Sequence, residues 1–162
     1  MKSLIVYYSH SGNTAYVAER LLSILSKRGS AKVAELEYLR VAESLLMKIL
    51  HRIIPSIVSI KPIITDVKYY DIVCFGIPIS RGHPPMAVIK HIGICQNLKN
   101  KKVICCYVYG IKHSALGCAR YIERLLKEKG SSKIARVFIP WTKVHDEGLV
   151  DKAIDEALAK LT

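Results

Sequence analysis

Short runs of hydrophobic residues, rich in β-branched side chains, recur along the chain and predict five β-strands. Nearly every position within these runs is apolar, as expected for strands that are covered on both faces and pair in parallel. The predicted strands are residues 3–8, 32–37, 72–76, 102–109 and 136–140.

Between the strands, hydrophobic positions recur with the period of an α-helix. They predict amphipathic helices at residues 15–27, 84–92, 115–129 and 149–161. Strands and helices that alternate through right-handed crossovers form a doubly wound α/β sheet with helices on both faces. Polar loops follow the first, third and fourth strands, and these loops meet at the switch point if the strand order is 2-1-3-4-5. The whole chain, residues 1–162, is predicted to be a single domain of this kind.

One further segment, residues 38–60, has an unusually broad apolar face. Its hydrophobic positions cover one side of a helical wheel, and basic residues such as Arg40, Lys48 and Arg52 lie opposite. The ordinary interpretation is a second crossover helix packed on the sheet. The alternatives are a homodimer contact, a cover over a ligand, or a helix that lies on a membrane surface.

Cysteine usage and hydropathy indicate a cytoplasmic protein. The five cysteines are odd in number and have no C-x-x-C spacing, which favours buried thiols in a reducing compartment over disulfides or a zinc site. The dispersed histidines lack metal-ligand spacing, so no metal is expected. No apolar stretch is long enough for a transmembrane segment, and no signal-peptide core precedes Ser9.

The chain is strongly basic, with 25 lysine and arginine residues against 13 aspartate and glutamate residues and a formal net charge of +12. Such an excess attracts acidic proteins, nucleic acids or anionic membranes. The basic residues are scattered in small groups, such as residues 99–102 and 127–133, without the interleaved aromatic residues of a base-stacking platform. Nucleic-acid binding is therefore not expected.

The loop after the first strand has the composition of a phosphate-binding loop. It opens a helix and contains several hydroxyl groups but no lysine or arginine, so an anion there would be held by N–H and O–H donors and by the helix dipole. It matches neither G-x-x-x-x-G-K-[ST] nor G-x-G-x-x-G. The simpler alternative is a turn in which Ser11 or Asn13 caps the helix. The candidate residues are Ser9, His10, Ser11, Gly12, Asn13 and Thr14.

Two further loops are expected at the same edge of the sheet. The fourth strand ends at Tyr109 and Gly110, and the ring of Tyr109 is a candidate for contact with a ligand. Trp141 and His145 follow the fifth strand; a position at the rim of the site is one alternative for them, and the favoured interpretation is the core or the surface. The third strand runs into a loop bounded by prolines, whose candidate residues are Pro78, Ile79, Ser80, Arg81, Gly82 and His83.

The first loop closely resembles the [ST]-x-[ST]-G-x-T phosphate loop of the flavodoxins, with Ser9, Ser11, Gly12 and Thr14 at the motif positions. The resemblance implies a flavodoxin-like fold and FMN as the cofactor. The resemblance extends over nearly the whole chain. The loop after the fourth strand, the third loop, matches the family's third FMN loop by position alone.

The second loop resembles the G-[ST]-P-[VI]-aromatic-x-G-x-x-P loop that flanks the flavin ring in flavodoxin-like proteins. Ile77 replaces the small hydroxyl residue, and Ser80 stands where a stacking Trp or Tyr is common. The Arg-Gly-His run at 81–83 also resembles that of the menaquinone-dependent protoporphyrinogen oxidases. The residues in register with the loop pattern are Gly76, Pro78, Ile79, Gly82 and Pro85.

The resemblance implies roles for two side chains of the second loop. Arg81 would stabilise an anionic reduced flavin at its N1 and O2 edge, and His83 would donate or shuttle a proton. The expected function is an FMN-binding redox protein that passes electrons to an acidic redox protein or to a small acceptor such as a quinone. A basic chain is unusual for such an electron carrier, since that family is typically acidic.

The alternative is a non-enzymatic interaction module that kept the fold but binds little or no flavin. Its basic surface or the segment 38–60 would then serve a partner. Hydrolase chemistry is not expected, because no Ser-His-Asp or Cys-His pairing is supported by the spacing of the residues.

Overall fold

The computed structural model of the chain describes residues 1–38, 59–80 and 82–161. The strands in these residues form one parallel sheet in the order β2-β1-β3-β4-β5, which confirms the predicted order. The strands are β1 (Lys2–Tyr7), β2 (Ser30–Glu35), β3 (Ile72–Ile79), β4 (Lys102–Tyr109) and β5 (Lys133–Pro140).

The α-helices that the structure describes cover both faces of this sheet, as predicted. Successive strand residues alternate between two cores, so that Leu4 and Val6 belong to one and Ile5 to the other. The helices α1 and α4 pack on the Ile5 side, and α2 and α3 pack on the Leu4 side. Their bounds are α1 (Asn13–Ser26), α2 (Met86–Ile94), α3 (Lys112–Glu128) and α4 (Glu147–Ala159).

The edge strand β2 departs from the continuous burial predicted for every strand. Its residues are mostly exposed or half-buried, and the side chain of Val33 is 42% exposed. Among the strands that the structure describes, only β1 pairs with β2, and the charged residues Lys32 and Glu35 lie on β2. Charges on an exposed edge discourage unwanted pairing with other chains, so this strand needs no continuous apolar run.

Strand β3 is longer than predicted, because it continues past Gly76 to Ile79 and includes Pro78. The Gly76 carbonyl accepts the Tyr8 N–H at 3.2 Å, so it faces β1. Backbone groups alternate along a strand, and the Pro78 nitrogen therefore faces the same side, beyond the end of β1. A proline is tolerated there because no strand remains to receive an N–H.

The extension of β3 makes the carboxyl edge of the sheet stepped. The last residue of β1, Tyr7, is in register with Gly76, whereas β3 and β4 remain paired as far as Ile79 and Tyr109. Strands β3 and β4 therefore project about 10 Å beyond β1, at about 3.3 Å per residue. The loop after β1 lies at the foot of this step.

The prediction for segment 38–60 falls mainly on residues 39–58, which lie outside the described residues. Its two ends are described: Tyr38 and Ile60 form an antiparallel bridge. The Tyr38 hydroxyl accepts the Ala87 N–H at 3.2 Å and so caps the first turn of α2. The crossover, dimer-contact, cover and membrane-surface interpretations stay predictions.

All five cysteines are buried free thiols, as the sequence predicts. Burial raises the pKa of Cys95 to about 11 and that of the wholly buried Cys74 further. These groups stay protonated near neutral pH and are poor nucleophiles. In the portion of the chain that the structure describes, none of the helices is both long and apolar enough to cross a bilayer.

Candidate functional site

The loop after β1 is closed by one of its own side chains. The Ser9 Oγ accepts the N–H of Gly12 at 3.1 Å and the N–H of Ala15 at 3.3 Å. Gly12 has a φ of 87°, in the left-handed region, and is the N-cap residue of α1. The helix is therefore capped by Ser9, and neither Ser11 nor Asn13 is the N-cap residue.

This arrangement leaves two adjacent N–H groups at the start of α1. The first helical bond runs from the Tyr16 N–H to the Gly12 carbonyl at 3.0 Å, so the N–H groups of Asn13 and Thr14 precede it. The partial positive charge of the helix terminus adds to these donors. His10, Ser11 and Gly12 are exposed around them, as an anion site requires.

Gly76 holds the loop close to β3. A Cβ atom at this position would lie 2.6 Å from the Tyr7 Cβ and 3.0 Å from the Thr14 Cγ2. Thr14 is itself 1% exposed, and its methyl group lies against Gly76. The absence of a side chain at position 76 thus lets α1 begin directly beside the switch point between β1 and β3.

The second loop is a tight turn. Ser80 and His83 form two backbone hydrogen bonds, with N–O distances of 3.4 and 3.0 Å, and Gly82 has a φ of 80°. Ser80 and His83 are exposed. Arg81 lies outside the described residues, so its predicted position near the flavin stays a prediction. A left-handed residue is common in such a turn, which accounts for glycine at 82.

The second loop is attached to α3. The Cys118 Sγ donates to the Gly82 carbonyl at 2.9 Å, and Ser114 lies within 4 Å of where a Gly82 side chain would begin. Two of the predicted site residues belong to β3 and not to the loop: Pro78 is half-buried, and Ile79 is 8% exposed with its side chain in the core. The contribution of Ile79 to a site is then made by its backbone.

At the end of β4, Tyr109 is turned inward. Its side chain is 9% exposed, and its ring lies 6.3 Å from that of Phe138 in an edge-to-face arrangement. Little of the ring surface faces solvent, and stacking on a ligand stays a prediction. Tyr107, which lies on the same side of the strand as Tyr109, is completely buried.

Gly110 is covered by Trp141, a contact that the sequence did not indicate. A Cβ atom at position 110 would lie 3.0–3.2 Å from three ring carbons of Trp141. The indole is nevertheless 57% exposed, and the neighbouring Ile111 is 70% exposed. These two residues form an apolar surface beside the candidate site. Two large apolar residues exposed near each other indicate a contact surface. The sequence does not show that Ile111 and Trp141 are near each other, because the pairing of β4 with β5 brings them together.

The loop after β5 contacts α1 at the carboxyl edge of the sheet. The rings of Tyr16 and His145 lie 4.7 Å apart, and the Tyr16 hydroxyl donates to Glu147 at 3.1 Å. Arg20 on α1 binds Asp151 on α4 with distances of 3.0 and 2.5 Å. The segment from Trp141 to Glu147 therefore connects the third loop with the helix that the first loop opens.

Two tyrosines beside the first loop remain neutral near physiological pH. Burial and the Glu35 carboxylate raise the pKa of Tyr7 to about 12. Burial and the same carboxylate also raise the pKa of Tyr8. Neither phenol therefore places a negative charge beside an anion held by the loop. Within the described residues, no group of three or more potential metal-ligating side chains occurs.

No protein-family model matches the chain, and no curated protein matches its sequence. Several solved structures resemble it. A flavoprotein from Lactobacillus acidophilus, crystallised in complex with FMN, is 19% identical and has a TM-score of 0.62, over 91% of this chain and 98% of that one. A flavodoxin from the domain Archaea is 15% identical with a TM-score of 0.56, over 98% and 99%.

An azoreductase from Bacillus anthracis is 12% identical with a TM-score of 0.61, over 98% of each chain. All three similarities extend over nearly the full length of both proteins, and the identities are low. Together with the parallel sheet and its strand order, they show that this chain has the flavodoxin-like fold.

Proposed function

We propose that the chain binds FMN at the carboxyl edge of its sheet and works as a redox protein. The observation that carries this proposal is the first loop, in which Ser9 orders the backbone and leaves the N–H groups of Asn13 and Thr14 free of helical partners. A single group of neutral donors suits one terminal phosphate, as FMN has.

The chain's own residues would bind and orient the cofactor. The first loop would hold the phosphate, the turn from Ser80 to His83 would lie beside the flavin ring, and Gly110 with Trp141 would bound the other side. When bound, FMN supplies reversible uptake and release of electrons, and the protein sets the environment of its ring. The flavoprotein with FMN and the azoreductase named above support this choice, since they share the fold.

Replacing Thr14 by valine tests the phosphate site. Valine keeps the methyl group that packs on Gly76 but removes the hydroxyl, so FMN affinity should fall by about 1–3 kcal/mol, the cost of losing a hydrogen bond to a charged group. Fluorescence titration of FMN with the purified protein measures the change.

The matched control is Thr65→Val, which makes the same substitution away from the carboxyl edge and should leave FMN affinity unchanged. Equal affinity of the Thr14 variant and the unaltered protein would contradict the phosphate assignment. Failure of the unaltered protein to bind FMN at all would favour the non-enzymatic interaction module instead.

For the electron acceptor, we favour an acidic redox protein over a quinone. Lys112 begins α3 and Lys143 ends the short 3-10 helix Trp141–Lys143, so both exposed cations flank the candidate site. The first two loops and the third, residues 8–14, 80–85 and 110–114, contain no aspartate or glutamate. Exposed Ile111 and Trp141 would suit a planar quinone, which keeps that acceptor as the second candidate.

The double substitution Lys112→Gln and Lys143→Gln should slow electron transfer to an acidic redox protein by about threefold at low salt, because fewer cations steer the encounter. The difference should vanish at high salt, where the screening length falls to about 3 Å. Stopped-flow reoxidation of the reduced protein measures both rates. If the rate does not depend on salt and is the same for the double variant and the unaltered protein, the two lysines do not steer the encounter. That result would favour the quinone as the acceptor.

A further inference from the structure

Six lysines form a cluster at the amino edge of the sheet, opposite the candidate site. Lys102 and Lys133 are neighbours in register at the start of β4 and β5. The Lys101 Nζ donates to the Lys68 carbonyl at 2.7 Å, which joins the loop before β3 to the loop before β4. The lysine cluster consists of Lys68, Lys99, Lys101, Lys102, Lys129 and Lys133.

Further contacts hold the cluster together. The Asn100 N–H donates to the Gly130 carbonyl at 3.2 Å, and a Cβ at Gly130 would lie 3.1 Å from the Lys99 side chain. The Ser131 hydroxyl donates to the Lys101 carbonyl at 3.2 Å. The loops that carry the lysines are therefore fixed to each other by backbone contacts and not only by proximity.

The positive charge of this surface is not balanced locally. The carboxylates of this surface are Asp66, Asp71 and Glu128, which precedes Lys129 at the end of α3, against six lysines. Asp66 is engaged by the Asn97 amide at 2.7 Å and by the Lys68 N–H at 2.9 Å, and Asp71 accepts the Lys2 N–H at 2.7 Å. Both aspartates are thus hydrogen-bonded to neighbouring segments, Asp66 to the loop before β4 and Asp71 to the start of β1, and the lysines outnumber the carboxylates of this surface.

Apolar groups are exposed beside the lysines. Tyr69, next to Lys68, is 72% exposed, and Ile94 at the end of α2 is 40% exposed. A groove of about 380 Å³ lies between α2 and α3; its lining is mostly apolar and includes the charged residues Lys90, Glu128 and Lys129 beside Ile89, Ile92, Gly93, Ile94 and Leu125. Lys129 lines the same groove and donates to the Gly93 carbonyl, which joins the groove to the lysine cluster.

We propose that the lysine cluster, with Tyr69 and the adjoining apolar groove, docks the protein on an anionic phospholipid bilayer. Clustered lysines are attracted by anionic headgroups, and exposed tyrosine side chains are favoured at the boundary between headgroups and acyl chains. A nucleic acid or an acidic protein would satisfy the lysines but gives no reason for an apolar groove at the same edge. This proposal is independent of FMN binding.

Docking in this way would orient the candidate site. Lys102 and Tyr109 are the two ends of β4, about 23 Å apart at about 3.3 Å per residue. With the amino edge on the bilayer, the carboxyl edge would face the aqueous phase. A docked molecule would then exchange electrons with a water-soluble acceptor and not with one inside the same membrane.

Vesicle binding of the full chain tests the proposal. Unaltered protein should sediment with vesicles of phosphatidylcholine and phosphatidylglycerol but not with phosphatidylcholine alone. The substitutions Lys99→Gln and Lys133→Gln, at exposed positions, should together weaken the binding by about twenty-five-fold, since each lysine near an anionic surface contributes about fivefold. Their electron-transfer rate with a soluble acceptor should be unchanged.

The carboxyl-edge pair Lys112→Gln and Lys143→Gln is the matched control, because it removes the same charge and should leave vesicle binding unchanged. Tyr69→Ser should weaken vesicle binding relative to the unaltered protein at a salt concentration that screens the lysines, because the tyrosine contribution does not depend on charge. The proposal is overturned if the unaltered protein ignores anionic vesicles, if both lysine pairs lose equal binding, or if Tyr69→Ser has no effect. It is also overturned if the protein binds double-stranded DNA more tightly than the anionic vesicles at matched phosphate concentration, which would assign the lysines to nucleic acid.

Discussion

Replacing Gly76 by alanine is expected to lower the free energy of unfolding by about 1–3 kcal/mol and to weaken FMN binding by at least about tenfold. The added methyl group would lie 2.6 Å from the Tyr7 Cβ and 3.0 Å from the Thr14 Cγ2. Tyr7 belongs to β1 and Thr14 to α1, so neither atom can move away without a shift of the backbone. Overpacking a well-filled core costs energy of this order. Because Thr14 lies 3.0 Å from the new methyl group, the first loop, where we propose that the phosphate binds, must move as well.

Chemical denaturation and FMN titration of the same preparation measure the two effects. Gly117→Ala is the matched control: Gly117 lies inside α3, and nothing lies within 4 Å of the position of its Cβ. That substitution should stabilise the protein by about 0.5–1 kcal/mol, because alanine is the better helix former. Unaltered stability and FMN affinity of the Gly76 variant would show that β1 and α1 are not as closely packed on β3 as described.

Acidification should destabilise the protein through His91. This side chain on α2 is completely buried, and neither ring nitrogen has a hydrogen-bond partner among the residues described. Burial lowers the pKa of His91 from 6.5 to about 4. The unfolded chain then binds a proton that the folded chain does not, so stability is complete above about pH 6.5 and falls as the pH drops toward 4.

The loss from this one group should reach roughly 3 kcal/mol at pH 4, at 1.36 kcal/mol per pKa unit. Urea denaturation at several pH values measures the slope. His91→Leu should flatten the curve between pH 6.5 and 4, because leucine has no proton to bind in either state. An unchanged slope in the His91 variant would assign the acid sensitivity to other groups.

The strands and the loop after β1 could be located from the sequence because they depend on local patterns, and the strand order followed from placing three polar loops at one switch point. A buried parallel strand is a continuous apolar run, and the hydroxyl and glycine residues of the first loop follow one directly. Strand β2 was predicted in place but with the wrong burial, since an edge strand with one neighbour needs little apolar surface. Pro78 hid the end of β3, because a proline ordinarily marks the end of a strand.

The contacts that complete the site could not be read from the sequence. Gly110 and Trp141 are brought together by the pairing of β4 with β5, and Gly82 and Cys118 by the packing of α3 on the second loop. No local periodicity encodes such pairs. The helix cap was also missed, because Ser9 reaches forward to two N–H groups from before the loop, whereas the usual cap residue lies at the helix start.

Under the proposed function, the step at the carboxyl edge limits the length of the ligand that can occupy the site. Strands β3 and β4 project about 10 Å past the end of β1. The N–H groups of Asn13 and Thr14 therefore lie near the end of β1, and the turn from Ser80 to His83 lies about 10 Å farther along the strand direction. A ligand that reaches both levels must carry its phosphate and its planar ring on opposite ends of a flexible chain, as FMN does. At the proposed FMN site, riboflavin would reach only the turn from Ser80 to His83 and inorganic phosphate only the first loop, so the step would favour a ligand of the length of FMN.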